Sequence, residues 1–294
     1  MDLPIPDATG LAEPVVVARP RRQGAPLVLA SPHSGRDYSS EFIASARLDP
    51  LRLRRSEDSF VDELFADGPA LGVPLVAATF PRAYCDANRE PWELDPAMFA
   101  DPLPSWVNTT SPRVGAGLGT IARVVASGEG IYRGKLRFAE AEARVRACWE
   151  PFHSALAGEI EAVRDQFGAC VLVDCHSMPA SSLPPRGQAD VVLGDAHGTA
   201  CAPGVVALVE AALAAEGFSV RRNDPFAGGF ITRHYGRPRE AIHAVQVEVN
   251  RALYMDEARI EPLPGFAEVR ARLARVLAEV AAEVAAGVAT LLPR

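Results

Sequence analysis

The fold is indicated by a short apolar run that ends abruptly in polar residues, Cys170-Val171-Leu172-Val173-Asp174-Cys175-His176. The run lacks the alternation of apolar and polar residues that a strand with one solvated face would show. A continuous apolar segment of this length is typical of a strand buried on both faces of a parallel or mixed sheet. Its polar end then lies where ligands gather in open α/β sheets, at the carboxyl ends of the strands.

Four further segments share this pattern: Pro26–Ala30, Val73–Thr79, Asp190–Leu193 and Ala241–Val249. Between the strands lie segments with helical periodicity, namely Asp58–Leu71, Lys135–Phe167, Val205–Glu216 and Gly265–Leu292. Pro151 predicts a kink or break within the second of these helices. Strands that alternate with helices predict an α/β sandwich around one sheet. No internal repeat or linker-like change in composition is present, so we expect residues 1–294 to form a single domain.

Two long segments lack a regular period, and each follows a strand that ends in polar groups. They are Ala87–Gly119, which is rich in Pro, Trp and Asn, and Ser177–Gln188. Long irregular loops in a compact domain are usually functional or disordered. We expect both segments to form walls of an active site.

The composition is that of an ordinary globular protein, with 48% apolar and 23% charged residues. The net charge is −7, without the clustered Lys and Arg of a nucleic-acid-binding surface. No segment reaches the roughly 18 consecutive apolar residues that span a bilayer. Met1–Pro20 has no basic segment followed by a long apolar run, and the five scattered cysteines include no CxxC pair. We therefore expect a cytoplasmic protein that binds neither nucleic acid nor a membrane.

Two histidines hold equivalent positions at the ends of apolar strands. His33 follows the first strand, His176 follows the strand quoted above, and a serine comes directly after each. Asp58 begins the helix that comes after the first strand and is close enough in sequence to return to His33. Two imidazoles and one carboxylate are a common catalytic zinc set, which leaves one position open for water. A histidine at a strand end is also often only a hydrogen-bonded structural residue, so the spacing leaves both roles open.

Glu248 lies in a strand that is otherwise mostly apolar, two residues after Gln246 on the same face. A lone buried carboxylate is costly unless it is paired or functional. Beside a zinc ion, which lowers the pKa of water and polarises a carbonyl, Glu248 is expected to carry a proton from the attacking water to the leaving nitrogen.

Two other motifs are rejected. Gly115-Ala116-Gly117-Leu118-Gly119 does not follow a strand and lacks the spacing of a dinucleotide-binding loop. Ser34 and Ser177 adjoin the histidines, but neither lies in the GxSxG sequence of a nucleophile elbow, which argues against a serine hydrolase.

Several segments, taken in order, resemble N-formylglutamate amidohydrolases. They are Ser31-Pro32-His33-Ser34-Gly35, Asp86-Ala87-Asn88-Arg89, Val173-Asp174-Cys175-His176-Ser177-Met178, Gly228-Gly229-Phe230-Ile231-Thr232-Arg233-His234-Tyr235-Gly236 and Val245-Gln246-Val247-Glu248-Val249-Asn250-Arg251. The resemblance covers most of the chain, and the order of the motifs makes it specific where no single motif would be.

The resemblance extends more distantly to zinc carboxypeptidases and to succinylglutamate and aspartoacyl deacylases. It implies a mixed sheet of roughly eight strands with helices on both faces. It also implies one zinc ion per chain, held by His33, an acidic residue and His176, with Glu248 as the general base. We choose Asp58 as the acidic ligand, and the adjacent Glu57 is the alternative because carboxypeptidase-type relatives use a glutamate.

Asn88 and Arg89 resemble the pair with which carboxypeptidase-like enzymes bind a substrate carboxylate, and an arginine can bind a carboxylate through two parallel hydrogen bonds. A surface ion pair is the alternative role for Arg89. The second carboxylate of a dicarboxylic substrate is assigned to Arg133 or Arg233. We expect His234 and Tyr235 to bind substrate as part of a lid, and an exposed loop is the alternative.

The predicted reaction is the hydrolysis of a small dicarboxylic N-acyl amino acid. The leading candidate is N-formyl-L-glutamate, which would give formate and L-glutamate in histidine catabolism. Ala87 stands where better-known members tend to have leucine, and Ser56–Asp62 lacks their Trp-His, which weakens the assignment of formylglutamate itself. The alternatives are another N-acyl amino acid or a short peptide as substrate, or a ligand-binding protein without catalysis. The presence of Glu248 argues against the last, because binding alone needs no general base.

Overall fold

The computed structural model describes residues 13–183 and 188–287, and its centre is a mixed sheet. Within the described residues this sheet has seven strands, in the order β1-β3-β2-β4-β7-β5-β6. Their bounds are β1 Val15–Ala18, β2 Leu27–Ser31, β3 Leu75–Ala78, β4 Cys170–Met178, β5 Val191–Gly194, β6 Val220–Arg222 and β7 Ile242–Asn250. The predicted α/β class with a mixed sheet is confirmed, with seven strands in place of roughly eight.

The middle of the sheet is parallel. Strands β3, β2, β4 and β7 run in one direction, whereas β1 is antiparallel to β3 and β5 is antiparallel to β7. All residues of β2, β4 and β7 are buried, as their continuous apolar runs predict. The two strands that the sequence did not predict, β1 and β6, are short and partly exposed, so neither carries a long apolar run.

Helices cover both faces of the sheet, as predicted. Their bounds are α1 Ser40–Ser45, α2 Pro50–Leu53, α3 Val61–Leu64, α4 Pro112–Gly115, α5 Phe138–Arg144, α6 Glu150–Phe167, α7 Pro203–Ala215, α8 Phe230–Tyr235 and α9 Phe266–Ala286. A small hairpin of β8 (Met255–Asp256) and β9 (Glu261–Pro262) precedes α9.

Alternate residues of each central strand enter different cores because side chains alternate across a strand. Leu27 and Leu29 of β2 pack in one core with side chains of α3, α7 and α9. Val28 and Ala30 pack on the opposite face with α5, α6 and α8. Burial on both faces holds the central strands rigidly, and their carboxyl ends therefore form a firm edge.

Two helix predictions need correction. The predicted helix Asp58–Leu71 is only the short α3 followed by a 3₁₀ turn at Pro69–Leu71, because Phe60 has a left-handed backbone (φ 67°) and Gly68-Pro69 interrupts the chain. The predicted break near Pro151 is a wide π-helical turn, Val145–Trp149, that joins α5 to α6. Pro151 is the second residue of α6, directly after this turn.

Some predicted features lie outside the described residues. They are residues 1–12 of the N-terminal segment, residues 184–187 of the second irregular segment and residues 288–292 of the last predicted helix. In the part of the chain that is described, no helix combines the length and the apolar character needed to cross a membrane.

Candidate active site

The candidate site lies at the carboxyl edge of the parallel strands. β2 leads directly into His33, and β4 and β7 carry His176 and Glu248 near their ends. The parallel pairing of β4 with β7 places His176 beside Glu248 and Asp174 beside Gln246. Residues two apart on a strand share a face, so four polar side chains meet at this edge.

Three buried side chains converge there: His33, Asp58 and His176 offer ligand atoms that all lie within 4.8 Å of one another. Oδ2 of Asp58 lies 2.9 Å from Nδ1 of His176 and 3.4 Å from Nδ1 of His33. The Nδ1 atom of His33 is buried and makes no hydrogen bond to any described residue. A buried ring nitrogen without a partner is costly, and a metal ion bound by these three groups would satisfy it.

Carboxylates hold the other nitrogen of each imidazole. Nε2 of His33 lies 2.7 Å from Oδ1 of Asp86, and Nε2 of His176 lies 2.9 Å from Oδ1 of Asp174. A carboxylate accepts, so each Nε2 donates its proton, and Nδ1 is the ring nitrogen that a metal ion would bind after losing its own proton. Metal-binding histidines are commonly oriented in this way, with the non-ligating N–H donated to a carboxylate.

Asp58, and not Glu57, faces the histidines. The backbone N–H of Asp58 donates to the carbonyl of His33 over 3.0 Å, which ties the two residues together. Glu57 points elsewhere: its carboxylate accepts from Nε of Arg54 at 3.0 Å and from Oγ of Ser59 at 2.8 Å. Of the two acidic candidates, the geometry favours Asp58.

The carboxylates of this cluster stabilise positive charge on it. Burial acts to raise the pKa of Asp58, but its interactions with His176 and His33 outweigh burial and hold the pKa well below its usual range. Burial acts to lower the pKa of His176, but Asp174 and Asp58 raise that pKa well above its usual value. Opposite charges at close range in a buried place explain both shifts, and they are also the conditions that favour a bound cation.

Glu248 lies next to this cluster in a short chain of hydrogen bonds. Its Oε1 accepts from Nε2 of Gln246 at 2.8 Å, and Oε1 of Gln246 accepts from the backbone N–H of Gly229 at 2.8 Å. Burial raises the pKa of Glu248 to about 7, although the charge of His176 acts to lower it. A carboxylate with a pKa near neutrality suits general base catalysis.

The cluster forms the floor of a cleft of about 570 Å³. Within the described part of the chain, five arginines and three carboxylates line this cleft: Arg82, Arg89, Arg113, Arg233 and Arg251, with Asp58, Asp86 and Glu248. Both irregular segments that were expected to form walls contribute residues to the lining. The cleft is thus strongly polar, with an excess of positive charge.

Arg89 is buried on the wall of the cleft, with 6% of the residue exposed, so it does not form the alternative surface ion pair. Its guanidinium donates from Nε to the carbonyl of Leu118 at 2.9 Å and from Nη1 to the carbonyl of Asn88 at 2.8 Å. Nη2 lies 3.7 Å from the Asp86 carboxylate. Burial lowers the pKa of Arg89 to about 10, which leaves it charged near neutral pH.

Asn88 links the cleft to α8. Its Oδ1 accepts from the backbone N–H of Ile231 at 2.8 Å, and its Nδ2 lies 3.1 Å from Nε2 of His176. Gly229 must be a glycine here, because a Cβ atom would lie 2.3 Å from Nδ2 of Asn88. Gly229 therefore lets the start of α8 approach Asn88, which in turn lies beside His176.

Arg133, one of the two residues assigned to a second carboxylate, is not brought to the cleft. It is exposed, and its Nε donates to the carbonyl of Ala46 at 2.8 Å. The backbone N–H of Arg133 also donates to Ser45, which holds this segment against the end of α1. The prediction for Arg133 is therefore corrected.

Of the three neighbouring candidates on α8, only Arg233 lines the cleft. Successive residues of a helix point about 100° apart, so the three side chains face different directions. Tyr235 is buried in the core, where its hydroxyl lies 2.9 Å from Nδ1 of His153, and His234 stacks on Phe230 with ring centroids 4.8 Å apart. The prediction that His234 and Tyr235 bind substrate is not supported by their positions.

The sequence analysis missed the residues that hold His33, Asp58 and His176 in place. Asp174 had a usable signal, because it lies two residues before His176 on a strand and must share its face. Arg82 follows β3 and had no such signal, and Asp86 and Arg251 were quoted only as parts of motifs. Arg251 donates from Nη2 to Oδ1 of Asp58 at 2.9 Å, which orients the carboxylate.

Comparison with known proteins agrees with the motifs and the fold. A family model described as N-formylglutamate amidohydrolase matches residues 25–255, which include His33, Asp58, His176 and Glu248. This chain belongs to the N-formylglutamate amidohydrolase family. The resemblance predicted from the ordered motifs is thereby confirmed.

Individual members of the N-formylglutamate amidohydrolase family are similar over nearly their whole length. The N-formylglutamate deformylase of Pseudomonas aeruginosa is 31% identical over 243 residues, which cover 81% of this chain and 85% of that protein. The N-formylglutamate deformylase of Pseudomonas putida is 30% identical over 238 residues, covering 79% and 82%. The crystal structure of N-formylglutamate amidohydrolase from Ralstonia eutropha is 38% identical, covers 93% of this chain and 99% of that chain, and superposes with a TM-score of 0.88.

Proposed function

We propose that this protein is a zinc-dependent amidohydrolase that cleaves N-formyl-L-glutamate to formate and L-glutamate. The observation that carries the proposal is the convergence of His33, Asp58 and His176 on one point, with the buried carboxylate of Glu248 beside it. The substrate is suggested by two relatives described as N-formylglutamate deformylases.

The donor atoms suit zinc. Two imidazole nitrogens and one carboxylate oxygen are a usual zinc set, and they leave one coordination position for a ligand that reacts. The unpartnered Nδ1 of His33 and the carboxylates behind both imidazoles fit this role, since they orient the rings and make them better ligands. When bound, zinc would supply Lewis acidity, which polarises a carbonyl group and makes water a stronger nucleophile near neutral pH.

Glu248 would handle the protons of the reaction. Hydrolysis adds water across the formyl C–N bond: oxygen joins the carbonyl carbon, and the C–N bond breaks with its electron pair staying on nitrogen. The Glu248 carboxylate accepts a proton from the attacking water and passes it to the leaving amine. The hydrogen bond from Gln246 keeps the carboxylate in place for both transfers.

Arg89 would anchor the substrate α-carboxylate. Its guanidinium is held on one side by two backbone carbonyls, so its conformation is set before the substrate binds. A prearranged arginine loses little side-chain entropy on binding, and it pairs with a carboxylate by charge-assisted hydrogen bonds.

A substrate panel with and without zinc tests the proposal. Formyl, acetyl and succinyl derivatives of glutamate, glutamine and alanine are offered to the protein as purified, after chelation and after zinc is restored. We expect N-formyl-L-glutamate to have the highest kcat/KM, chelation to abolish turnover and zinc to restore it. Full turnover after complete zinc removal would refute the metal chemistry. A higher kcat/KM for a derivative with another acyl group would refute N-formyl-L-glutamate as the substrate.

The same panel tests a purely binding role. A ligand-binding relative without catalysis would bind N-formyl-L-glutamate but would turn over no member of the panel. The position of Glu248 beside the proposed zinc ligands favours the enzyme, because a carboxylate there would only repel an anionic ligand if it had no catalytic task.

A further inference from the structure

The charges of the cleft are not balanced among the side chains that line it. Of the residues that the structure describes, five arginines and three carboxylates line it. Cations that line one water-accessible cleft repel one another, and burial strengthens that repulsion. An anionic ligand with two negative charges would neutralise the excess.

Two of the five arginines are already used by the protein. Arg82 donates from Nη2 to Oδ2 of Asp86 at 2.9 Å, and Arg251 donates from Nη2 to Oδ1 of Asp58 at 2.9 Å. These pairs hold the carboxylates around the proposed zinc ligands. Among the described residues, this leaves Arg89, whose Nη2 lies 3.7 Å from Asp86, Arg113 and Arg233 as the cleft arginines that donate no hydrogen bond to a carboxylate.

Arg113 is tied to Arg89 through one residue. Leu118 donates its backbone N–H to the carbonyl of Arg113 at 2.8 Å, and its own carbonyl accepts from Nε of Arg89 at 2.9 Å. The short helix α4 that carries Arg113 is capped by Ser111, whose Oγ accepts from the N–H of Val114. These hydrogen bonds therefore hold the backbone of Arg113 at a fixed distance from the guanidinium of Arg89 on one wall of the cleft.

Arg113 also lacks an acidic partner. Its side chain forms no ion pair with any of the described residues, and it is only partly exposed. Beyond the burial of Arg89, the charge of Arg113 contributes to lowering the pKa of that neighbour. Arg233, the remaining candidate, is exposed at the rim on α8.

We propose that Arg113 binds the side-chain carboxylate of the substrate while Arg89 binds the α-carboxylate, so that Arg113 selects acidic N-acyl amino acids over neutral ones. The inference rests on the proposed function for the identity of the bond that is cleaved. It replaces the predicted role of Arg133, which lies outside the cleft.

The test compares two substrates of the same size, N-formyl-L-glutamate and N-formyl-L-glutamine, with the zinc-loaded enzyme and its Arg113→Gln variant. We expect the wild type to prefer the glutamate derivative. We expect Arg113→Gln to reduce this preference by roughly 10- to 100-fold, the range of one charge-assisted contact. Most of the loss should be in KM, and Arg113→Lys should restore part of the preference.

Two further variants show whether the substrate preference belongs to Arg113 itself. Arg133→Gln is the matched control, and its substrate preference should equal that of the wild type. The proposal is wrong if Arg113→Gln loses both substrates equally, since that would indicate a structural role. It is also wrong if the preference collapses in Arg233→Gln and persists in Arg113→Gln.

A binding measurement keeps the test independent of turnover. Calorimetric titration of L-glutamate and L-glutamine should show that glutamate binds the wild type more tightly and that Arg113→Gln removes this difference. If the protein hydrolyses neither formyl substrate but shows this binding pattern, the proposed function fails and the role of Arg113 stands. If the wild type does not distinguish the two amino acids in binding or in turnover, the role of Arg113 is refuted.

Discussion

Each histidine of the proposed zinc site depends on a carboxylate that does not itself face the centre. Asp86 holds Nε2 of His33 and Asp174 holds Nε2 of His176, so both rings turn the same nitrogen, Nδ1, towards Asp58. Two imidazoles fixed in one tautomer form a ligand pair that needs no rearrangement. Glu248 has a different hydrogen-bond partner, because its carboxylate accepts from Gln246.

Replacing Glu248 by glutamine should separate proton transfer from metal binding. Glutamine keeps the size of the side chain but cannot accept the proton of water, so we expect kcat to fall by about 10²- to 10⁴-fold. Zinc content, measured by elemental analysis, should not change. Glu261→Gln is the control, because Glu261 is exposed and its one ion pair among the described residues is with Arg259. Full turnover by Glu248→Gln would contradict the mechanism.

The elements around the site meet through a few close contacts. α6 carries His153, which is buried between the loop of Asn88 and α8. Its Nε2 donates to the carbonyl of Ala87 at 2.8 Å, and its Nδ1 lies 2.9 Å from the hydroxyl of Tyr235. This neutral imidazole therefore joins α6, α8 and the wall of the cleft.

His153 should make stability depend on acidity. Burial lowers its pKa from 6.5 to about 4 in the folded protein, so only the unfolded chain binds a proton between these values. The stabilisation that neutral His153 gives to the folded protein is fully present above pH 6.5 and is lost as pH falls towards 4. We expect the stability advantage of wild type over His153→Gln to shrink by about 3 kcal/mol between pH 7 and pH 4 in urea unfolding. An advantage that stays constant across this range would contradict the assignment.

Two glycines should respond oppositely to alanine. At Gly229 a Cβ would collide with Asn88, so Gly229→Ala should destabilise the protein by about 1–3 kcal/mol and lower activity through His176. At Gly158, exposed within α6, a Cβ meets nothing within 4 Å, so Gly158→Ala should stabilise by about 0.5–1 kcal/mol without changing kcat. Thermal unfolding measures both, and equal effects of the two changes would show that crowding at Asn88 is not the cause.

Across the whole molecule, the proposed zinc ligands join parts that are distant in the chain. His33 and Asp58 come from the N-terminal quarter and His176 from the middle, while Arg251, which holds Asp58, follows the last strand of the sheet. A site built from such separate segments exists only in the folded chain. Ligand binding to it therefore adds to the free energy of unfolding.

Zinc removal should lower thermal stability. At a free zinc concentration 100 times the Kd, binding adds about 2.7 kcal/mol, so chelation should lower the Tm by several degrees. Glu248→Gln should keep this response, because Glu248 is not one of the proposed ligands, whereas Asp58→Asn should lose it. A wild-type Tm that is the same with chelator and with zinc would argue against a site of this composition.

Much of the fold could be predicted from local pattern. The apolar runs of β2, β4 and β7 are continuous because each strand is buried on both faces, and that requirement is visible in the residues themselves. A polar residue after such a run, such as His33, or within it, such as Glu248, is equally visible. The sequence did not predict the short strands β1 and β6 or the true length of helix α3. Elements of so few residues are too short to show a regular hydrophobic period.

Only the tertiary structure decided which side chains meet at the edge of the sheet. Asp58 and Glu57 are adjacent and chemically alike, and the turn that begins at Asp58 directs one to the histidines and the other to Arg54. Arg113 lines the cleft and Arg133 does not, because irregular segments follow hydrogen bonds to distant carbonyls and not a repeating pattern. The ends of the strands can thus be predicted from neighbouring residues in the sequence. The partners of each site residue depend on how the loops fold back over the sheet, which only the tertiary structure shows.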